Sequence, residues 1–444
     1  MLTKEENSLL TQTGPGTLLG NVMRRYWQPV ALLEELPPGG APSSIRLLSE
    51  NLVLFRDDEE RIGLLGLHCS HRRADLSYGR VENGGLRCLY HGWLYDIQGN
   101  CLEQPGEPRG GESCKNIRHL SYPCREFGGL IFTYMGPGEP PRLPIFDALV
   151  LPESHRTHLK VLQESNYLQS LEGNLDPAHV SFLHRVIGKN EQKNRVNRFA
   201  VQSHSAEGDV PAVTDLFEED VSPTIEFEGT DCGIRYVSLR NAGSGKRYIR
   251  GGSWFMPNFL AVPGSSAGDG YTLSWHVPID DETSWRYTIS CRRSGPMDPE
   301  GLLRQEHAAE LGPDYRTIRN KSNRFLQDRA QMKTTHASGF GPSVAIQDVA
   351  ITDSQEPIMD RTQERLGYTD RVIVATRLTM LKALNDFKAG RGTLHEKRDR
   401  VPNPVPLPVV VSALVSGSDD WKSYYRERIK EEKTIAARAL GIGL

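Results

Sequence analysis

A chain of 444 residues is too long for one ordinary hydrophobic core, so two domains are expected. With 38% hydrophobic and 25% charged residues it reads as globular, and a net charge of −3 without any Lys/Arg-rich run leaves no footprint for nucleic acid or an anionic membrane. No apolar stretch approaches the roughly 18 residues of a membrane span, and the start Met1-Leu-Thr-Lys-Glu-Glu-Asn is charged rather than signal-like, so a cytoplasmic location is expected.

Along the chain, Thr3-Lys-Glu-Glu6 reads as a capping box that opens a short helix, which stops before Gly14-Pro15-Gly16; residues 1–26 form an N-terminal helical segment. From Trp27 the pattern changes to short apolar runs broken by Gly and Pro, such as Leu52-Val-Leu-Phe-Arg56, Ile62-Gly-Leu-Leu-Gly-Leu67 and Leu130-Ile-Phe-Thr-Tyr134. These are strands of a small antiparallel β domain. Gly136-Pro-Gly-Glu-Pro-Pro141 and Pro144 mark its exit, so a domain 27–150 and a larger one 151–444 are expected.

Inside the first domain stand Cys69-x-His71 and, after sixteen residues, Cys88-x-x-His91. Two thiolates and two imidazoles on neighbouring loops can hold a tetrahedral zinc, or a [2Fe-2S] cluster with two Cys on one iron and two His on the other. Spacing alone does not choose. The single-residue gap of Cys69-x-His71 is tight for two ligands of one small ion, whereas one Cys and one His from each loop suit a two-iron cluster. Two buried cysteines beside unrelated histidines would rarely produce this order from seven Cys and thirteen His. With Cys69 and Cys88 assigned, five cysteines remain, an odd number without regular spacing, which fits free thiols in a reducing compartment.

In the second domain, residues 163–175 carry Tyr167, Leu168 and Leu171 at helical spacing, and Asp176-Pro177 fits a capping residue before a first-turn proline. Residues 188–220 are polar and read as a loop or lid. Residues 225–293 alternate as strands of a larger antiparallel sheet, Arg377–Ala389 reads as a helix stopped by Gly390, 402–408 as a stiff Pro-rich spacer, and 418–440 as an amphipathic helical tail. The fold class is therefore α+β: a small all-β domain and a larger antiparallel sheet covered by helices.

A second constellation is Asn174-Leu-Asp176-Pro-Ala-His179-Val-Ser-Phe-Leu-His184. Two histidines and a carboxylate can bind ferrous iron as a facial triad with open positions for oxygen and substrate. Five residues are about 140° on an ideal helix, so His179 and His184 share a ligand only if the helix is broken, which Pro177 makes plausible. Taken alone, two His near an Asp are more often a capped, solvated helix.

Cys69-x-His71 and Cys88-x-x-His91-Gly92-Trp93, followed by Tyr95-Asp96-x-x-Gly99, resemble the cluster motif of Rieske proteins in the form found in Rieske non-haem iron oxygenases. Two departures are visible: the family commonly has Pro where Ser70 stands and Gly where Arg73 stands, neither of them a ligand. Asn-x-x-Asp-x-x-His-x-x-x-x-His about ninety residues further on resembles the iron signature of the oxygenase component, and Gln347-Asp348 with Asp360-Arg361, Gly367 and Asp370 resembles its phthalate dioxygenase branch.

The resemblance implies a [2Fe-2S] cluster on Cys69, His71, Cys88 and His91, and Fe(2+) on His179, His184 and Asp348, with Asp353 in reserve. It also implies that Asp176 bridges His91 of one protomer to His179 of the next, in a homotrimer or a multiple of trimers. The implied activity is that of a terminal oxygenase using O₂ and reductase-supplied electrons to hydroxylate or O-demethylate an aromatic carboxylate. No Gly-rich turn follows a strand and opens a helix, so electrons must come from an NAD(P)H-dependent reductase, with or without a separate ferredoxin. In Arg247-Tyr-Ile-Arg250-Gly-Gly-Ser-Trp254 a strand places Tyr248, Arg250 and Trp254 on one face, where Arg250 could grip a carboxylate or else lie on an outer surface. The alternatives from other classes are a Rieske electron-transfer or binding protein without mononuclear iron, and a zinc-structured module.

Overall fold

The computed structural model describes residues 1–108, 111–144, 146–187, 213–263, 270–293, 295–297, 310–392, 410–427 and 430. Contacts divide the chain into two compact units, one of Gln12–Leu143 with Val277–Asp281, the other of Met1–Thr11 with Pro144–His276 and Glu282–Leu444.

The smaller unit is built from short antiparallel strands, β1 (Gln28–Leu32), β2 (Ser43–Leu47), β3 (Glu50–Arg56), β4 (Ile62–Gly66), β5 (Arg80–Glu82), β6 (Gly85–Arg87), β7 (Leu94–Tyr95), β8 (Cys101–Glu103), β9 (Ser121–Tyr122), β10 (Cys124–Phe127) and β11 (Leu130–Thr133). They form three sheets, ordered β1-β11-β10, β2-β3-β4-β9 and β5-β6-β7-β8. Val53, Phe55, Leu65, Leu76, Leu86, Trp93 and Tyr95 bury their side chains in one core together with Cys69 and Cys88. The motif cysteines thus sit within this core, where a loop has little freedom to move.

The larger unit holds β12 (Arg156–Gln163), β13 (Thr224–Thr230), β14 (Gly233–Asn241), β15 (Lys246–Phe255), β16 (Phe259–Pro263), β17 (Gly270–Pro278), β18 (Ser284–Arg292) and β19 (Val411–Ser416). These make one sheet ordered β12-β18-β17-β16-β15-β14-β13, with β19 pairing antiparallel to β15. β15 is long enough to pair with β16 through Ser253–Phe255 and with β19 through Lys246–Gly251. Helices Tyr167–Leu175, Val344–Asp353 and Arg371–Lys388 belong to the same unit. No helix among the described residues is long and apolar enough to cross a membrane.

Thr3 and Glu6 make the reciprocal capping bonds, at 2.8 and 3.1 Å, that open the first helix Lys4–Thr11. That helix is too short to persist alone. It is tied into the larger unit by Tyr167 Oη donating to the Leu10 carbonyl and Asn166 Nδ2 to that of Thr11. The stretch expected as a loop contains a helix, Val213–Glu219, whose Leu216 is buried; residues 188–212 lie outside the described residues. The spacer 402–408 also lies outside them. Of the expected tail, 421–427 is helical, and its Trp421 and Tyr425 pack with Val237, Ile249 and Val411.

Candidate metal centres

The two cysteine loops have the same backbone construction. Cys69 N–H donates to the Ala74 carbonyl and Arg73 N–H returns to that of Cys69; Cys88 N–H donates to Trp93 and Gly92 N–H to Cys88, all at 2.9–3.0 Å. Each tight turn needs a left-handed residue at its fourth step, Arg73 at φ 63° and Gly92 at φ 76°. Glycine is at ease there, while Arg73 carries a Cβ penalty on the order of 1 kcal/mol. Ser70, the other departure, braces its loop. His119 Nε2–H donates to the Gly66 carbonyl at 2.7 Å, so Nδ1 is bare and accepts the Ser70 hydroxyl proton at 2.7 Å. Burial keeps His119 neutral, as this arrangement requires.

The donors this construction presents fit a two-iron cluster. Burial pushes the Cys88 thiol up against the pull of the Tyr90 and His91 amides, and the adjacent Cys69 sulfur pushes it further. A buried sulfur whose ionisation is disfavoured in this way is a poor free thiolate and a good partner for a cation. His71 and His91 lie edge to face at 4.5 Å between centroids, His71 is stacked on Trp93 at 4.6 Å, and His71 Nδ1 is buried with no hydrogen-bond partner among the described residues, as a ligand atom would be. Tyr95 Oη lies 3.2 Å from the Cys69 sulfur. A sulfur that has exchanged its proton for a metal bond can only accept, so the phenol donates.

In the larger unit the Tyr167–Leu175 helix is capped by the Asn166 side chain and ends at Asp176, whose Oδ1 accepts from Ala178 N–H at 2.7 Å. A single 3₁₀ turn, His179–Ser181, follows. This break replaces the 140° separation of an ideal helix and brings His179 Nε2 within 3.0 Å of His184 Nε2. Buried Arg240 holds the break, donating from Nη2 to the Pro177 carbonyl at 2.7 Å and from Nε to that of Asp220; burial lowers its pKa to about 10. Asp348, from the Val344–Asp353 helix, presents Oδ1 at 3.1 Å from His184 Nε2 and 3.6 Å from His179 Nε2. One donor atom from each of the three residues falls within 4.8 Å of the others, a set of two imidazoles and one carboxylate.

The surroundings fix which atoms face inward. Gln347 Oε1 accepts from His184 Nδ1–H at 2.7 Å, leaving Nε2 free for a metal. His179 Nδ1 stands 3.6 Å from Asp176 Oδ2. Burial alone would raise the Asp348 carboxyl, but His184, His179 and Arg286 hold it well below the usual carboxylate range. Burial opposes charge on His179, yet Asp176 and Asp348 hold its pKa above the ordinary value.

The reserve residue Asp353 lies elsewhere: its carboxylate accepts from Ser165 Oγ at 2.7 Å and Glu164 N–H at 3.1 Å. Arg250 is half-buried, donating to the Pro263 carbonyl at 2.9 Å with its guanidinium 6.0 Å from the Phe217 ring. Sequence reasoning missed Gln347, Arg240 and Arg286. The signal for the two arginines was a long cation at an interior position of an alternating apolar strand, Arg240 in β14 and Arg286 in β18, where an unpaired charge is not tolerated.

Two family models match, a Rieske [2Fe-2S] domain over residues 26–123 and a LigXa C-terminal domain like model over 133–439. The oxygenase subunit of phthalate 4,5-dioxygenase from Pseudomonas putida is 36% identical over 436 residues, covering 96% of this chain and 95% of that protein. The oxygenase subunit of 5,5'-dehydrodivanillate O-demethylase from Sphingobium sp. is 31% identical, covering 92% and 87%. Among solved structures, dicamba monooxygenase bound to dicamba superposes with a TM-score of 0.57 at 18% identity, covering 83% of this chain and 99% of that one, and so shares the fold.

Proposed function

The chain belongs to the phthalate dioxygenase-like branch of the Rieske non-haem iron oxygenases, and from that premise we propose that its substrate is a small aromatic carboxylate, which it hydroxylates or O-demethylates. It is an oxygenase subunit, not an electron carrier alone: its relatives are named oxygenase subunits, and a complete three-donor set lies beyond the Rieske domain. When bound, the cluster and the ferrous ion supply one-electron transfer and O₂ activation.

Everything else falls to this chain's own side chains. Cys69, His71, Cys88 and His91 hold the cluster, while His179, His184 and Asp348 hold the iron. Gln347 keeps the proton of His184 on Nδ1, away from the metal face. Arg240 keeps the Asp176–Ala178 turn in place, so Asp176 is presented beside His179 and can reach His91 of a neighbouring protomer. A head-to-tail ring of three supplies that neighbour. The protein works in the cytoplasm with a reductase, alone or through a ferredoxin.

For the substrate, the supporting observation is shared chemistry. Three of the relatives' names carry phthalate, 3-chlorobenzoate and dehydrodivanillate, all aromatic acids, and Arg250 with Phe217 beside it offers a cation next to an aromatic wall. Incubation of the iron-loaded protein with reductase, NADH, O₂ and a panel of plain and methoxylated aromatic acids tests this by mass spectrometry. Formaldehyde with a demethylated acid identifies a demethylase and a ring diol identifies a dioxygenase. Conversion of neutral aromatics in preference to acids refutes the carboxylate reading.

A further inference from the structure

Asp348 uses its two oxygens differently. Oδ1 faces the histidines, 3.1 Å from His184 Nε2 and 3.6 Å from His179 Nε2, while Oδ2 accepts from Arg286 Nη1 at 3.3 Å. Both side chains are largely withdrawn from water, 9% exposed for Asp348 and 11% for Arg286, so their attraction is only weakly screened. Arg286 is not a floppy surface cation. It stands near the start of β18, a strand hydrogen-bonded on one side to β12, where Arg286 is in register with Val161, and on the other to β17.

We infer that Arg286 is a positioning residue that holds Asp348 to a single donor oxygen, Oδ1, at the mononuclear iron. The inference rests on the reading of His179, His184 and Asp348 as that metal's ligands. A carboxylate with both oxygens free can close on a cation through both, as carboxylate ligands do on ions that accept many oxygens. Here the second oxygen is already engaged by a fixed cation, so the chain contributes three donor atoms rather than four. One more coordination position stays open, on a centre whose chemistry needs room for two small molecules at once.

The neighbouring groups leave this task to Arg286. His276, the other buried imidazole in the field of Asp348, accepts or donates through Nδ1 to Ser170 Oγ at 2.6 Å, and burial followed by the charge of Arg286 keeps it neutral. The cation that faces Oδ2 is therefore the guanidinium.

The two roles Arg286 could have, support of the fold or restraint of a ligand, predict opposite changes in metal affinity. A supporting residue loosens the site when removed. A restraining one competes with the metal for the carboxylate, so its removal tightens binding. The test uses full-length protein carrying its oxidised cluster, which is diamagnetic through spin coupling, with the mononuclear site stripped and titrated with Co(II).

In Arg286→Met we expect Co(II) affinity to rise about tenfold, its EPR spectrum to change to that of a site with one further ligand, and turnover to fall. Arg286→Lys, which keeps the charge, should return both readouts toward the unsubstituted protein. If Met at this position prevents cluster retention, R286Q is read by the same two measurements. An unchanged spectrum overturns the inference whatever the affinity does, because loss of a nearby cation by itself favours a divalent ion. Failure of the underlying reading is seen separately: Co(II) would then bind the unsubstituted protein and His184→Ala alike.

Discussion

At the scale of single residues, the chemistry that could be read from the chain is the chemistry with fixed spacing. The four cluster-type ligands are legible because one Cys and one His recur at close spacing in each of two segments that resemble the Rieske motif, and His179 and His184 because their spacing from Asn174 and Asp176 resembles the iron signature of the same family. Their outer partners are not legible. Tyr95 reaches the Cys69 sulfur across 26 residues, and Arg286 on its strand reaches Asp348 on a helix, only once the intervening chain has folded. A phenol that donates to a cluster sulfur stabilises the more negative, reduced state. Tyr95→Phe should therefore lower the cluster potential by about 60 mV, the one-electron equivalent of a charge-assisted hydrogen bond of about 1.4 kcal/mol. Protein-film voltammetry reads this directly, and an unchanged potential would show the contact to be electrically idle. Asp353 gives a second prediction. Burial raises its pKa to about 6 in spite of its bonds to Ser165 and Glu164. A carboxyl whose folded pKa lies above its unfolded value stabilises the fold at low pH, and that contribution is lost as pH rises through about 4 to 6. The loss is on the order of 2–3 kcal/mol. The thermal midpoint, followed by the visible circular dichroism of the cluster, should fall over that interval in the unsubstituted protein and fall less in Asp353→Asn.

At the scale of elements, the helix that leads into the iron-type site is anchored by charge. Glu172, buried on the Tyr167–Leu175 helix, accepts from Arg361 Nη2 at 3.0 Å and from Arg377 Nε at 2.6 Å, and Arg377 is shared with Glu364. Burial acts to raise the Glu172 carboxyl, but the two guanidiniums more than offset this and hold it ionised. Glu172→Gln would leave two buried cations short of a counter-charge, at a cost of about 3–5 kcal/mol. The variant should unfold at lower temperature and bind Fe(II) more weakly, since the turn carrying His179 begins at the end of this helix. Unchanged stability would mean that Glu364 alone suffices. The apolar spacing within this helix and within Arg371–Lys388 was visible in the sequence; the ion network joining them was not, because Arg361, Glu364 and Arg377 look like ordinary solvated charges until burial is known. The same holds for Val213–Glu219, a helix inside a stretch whose polarity reads as loop.

At the scale of the whole molecule, the proposed ring makes each active centre a joint product of two protomers. His71→Ala chains would lack the cluster and His184→Ala chains the iron, and each alone should be inactive. Co-expressed, random mixing gives each intact iron site an even chance of a neighbour with an intact cluster, so about a quarter of the full activity should return. No recovery would place electron transfer within one chain. The α+β class and the two kinds of sheet were legible from alternation and turn residues, whereas the last strand was not: β19 follows a Pro-rich stretch and is only six residues long. Its partner is the Lys246–Gly251 edge of β15, and the nearest pair in sequence, Gly251 with Val411, is still 160 residues apart. At about 5–20 residues per second of synthesis, that edge waits roughly 8–32 s for its final neighbour. During biogenesis the largest sheet is therefore an open template for other chains until the C-terminal region leaves the ribosome. Messages truncated before residue 411 should yield aggregates rather than a shortened enzyme.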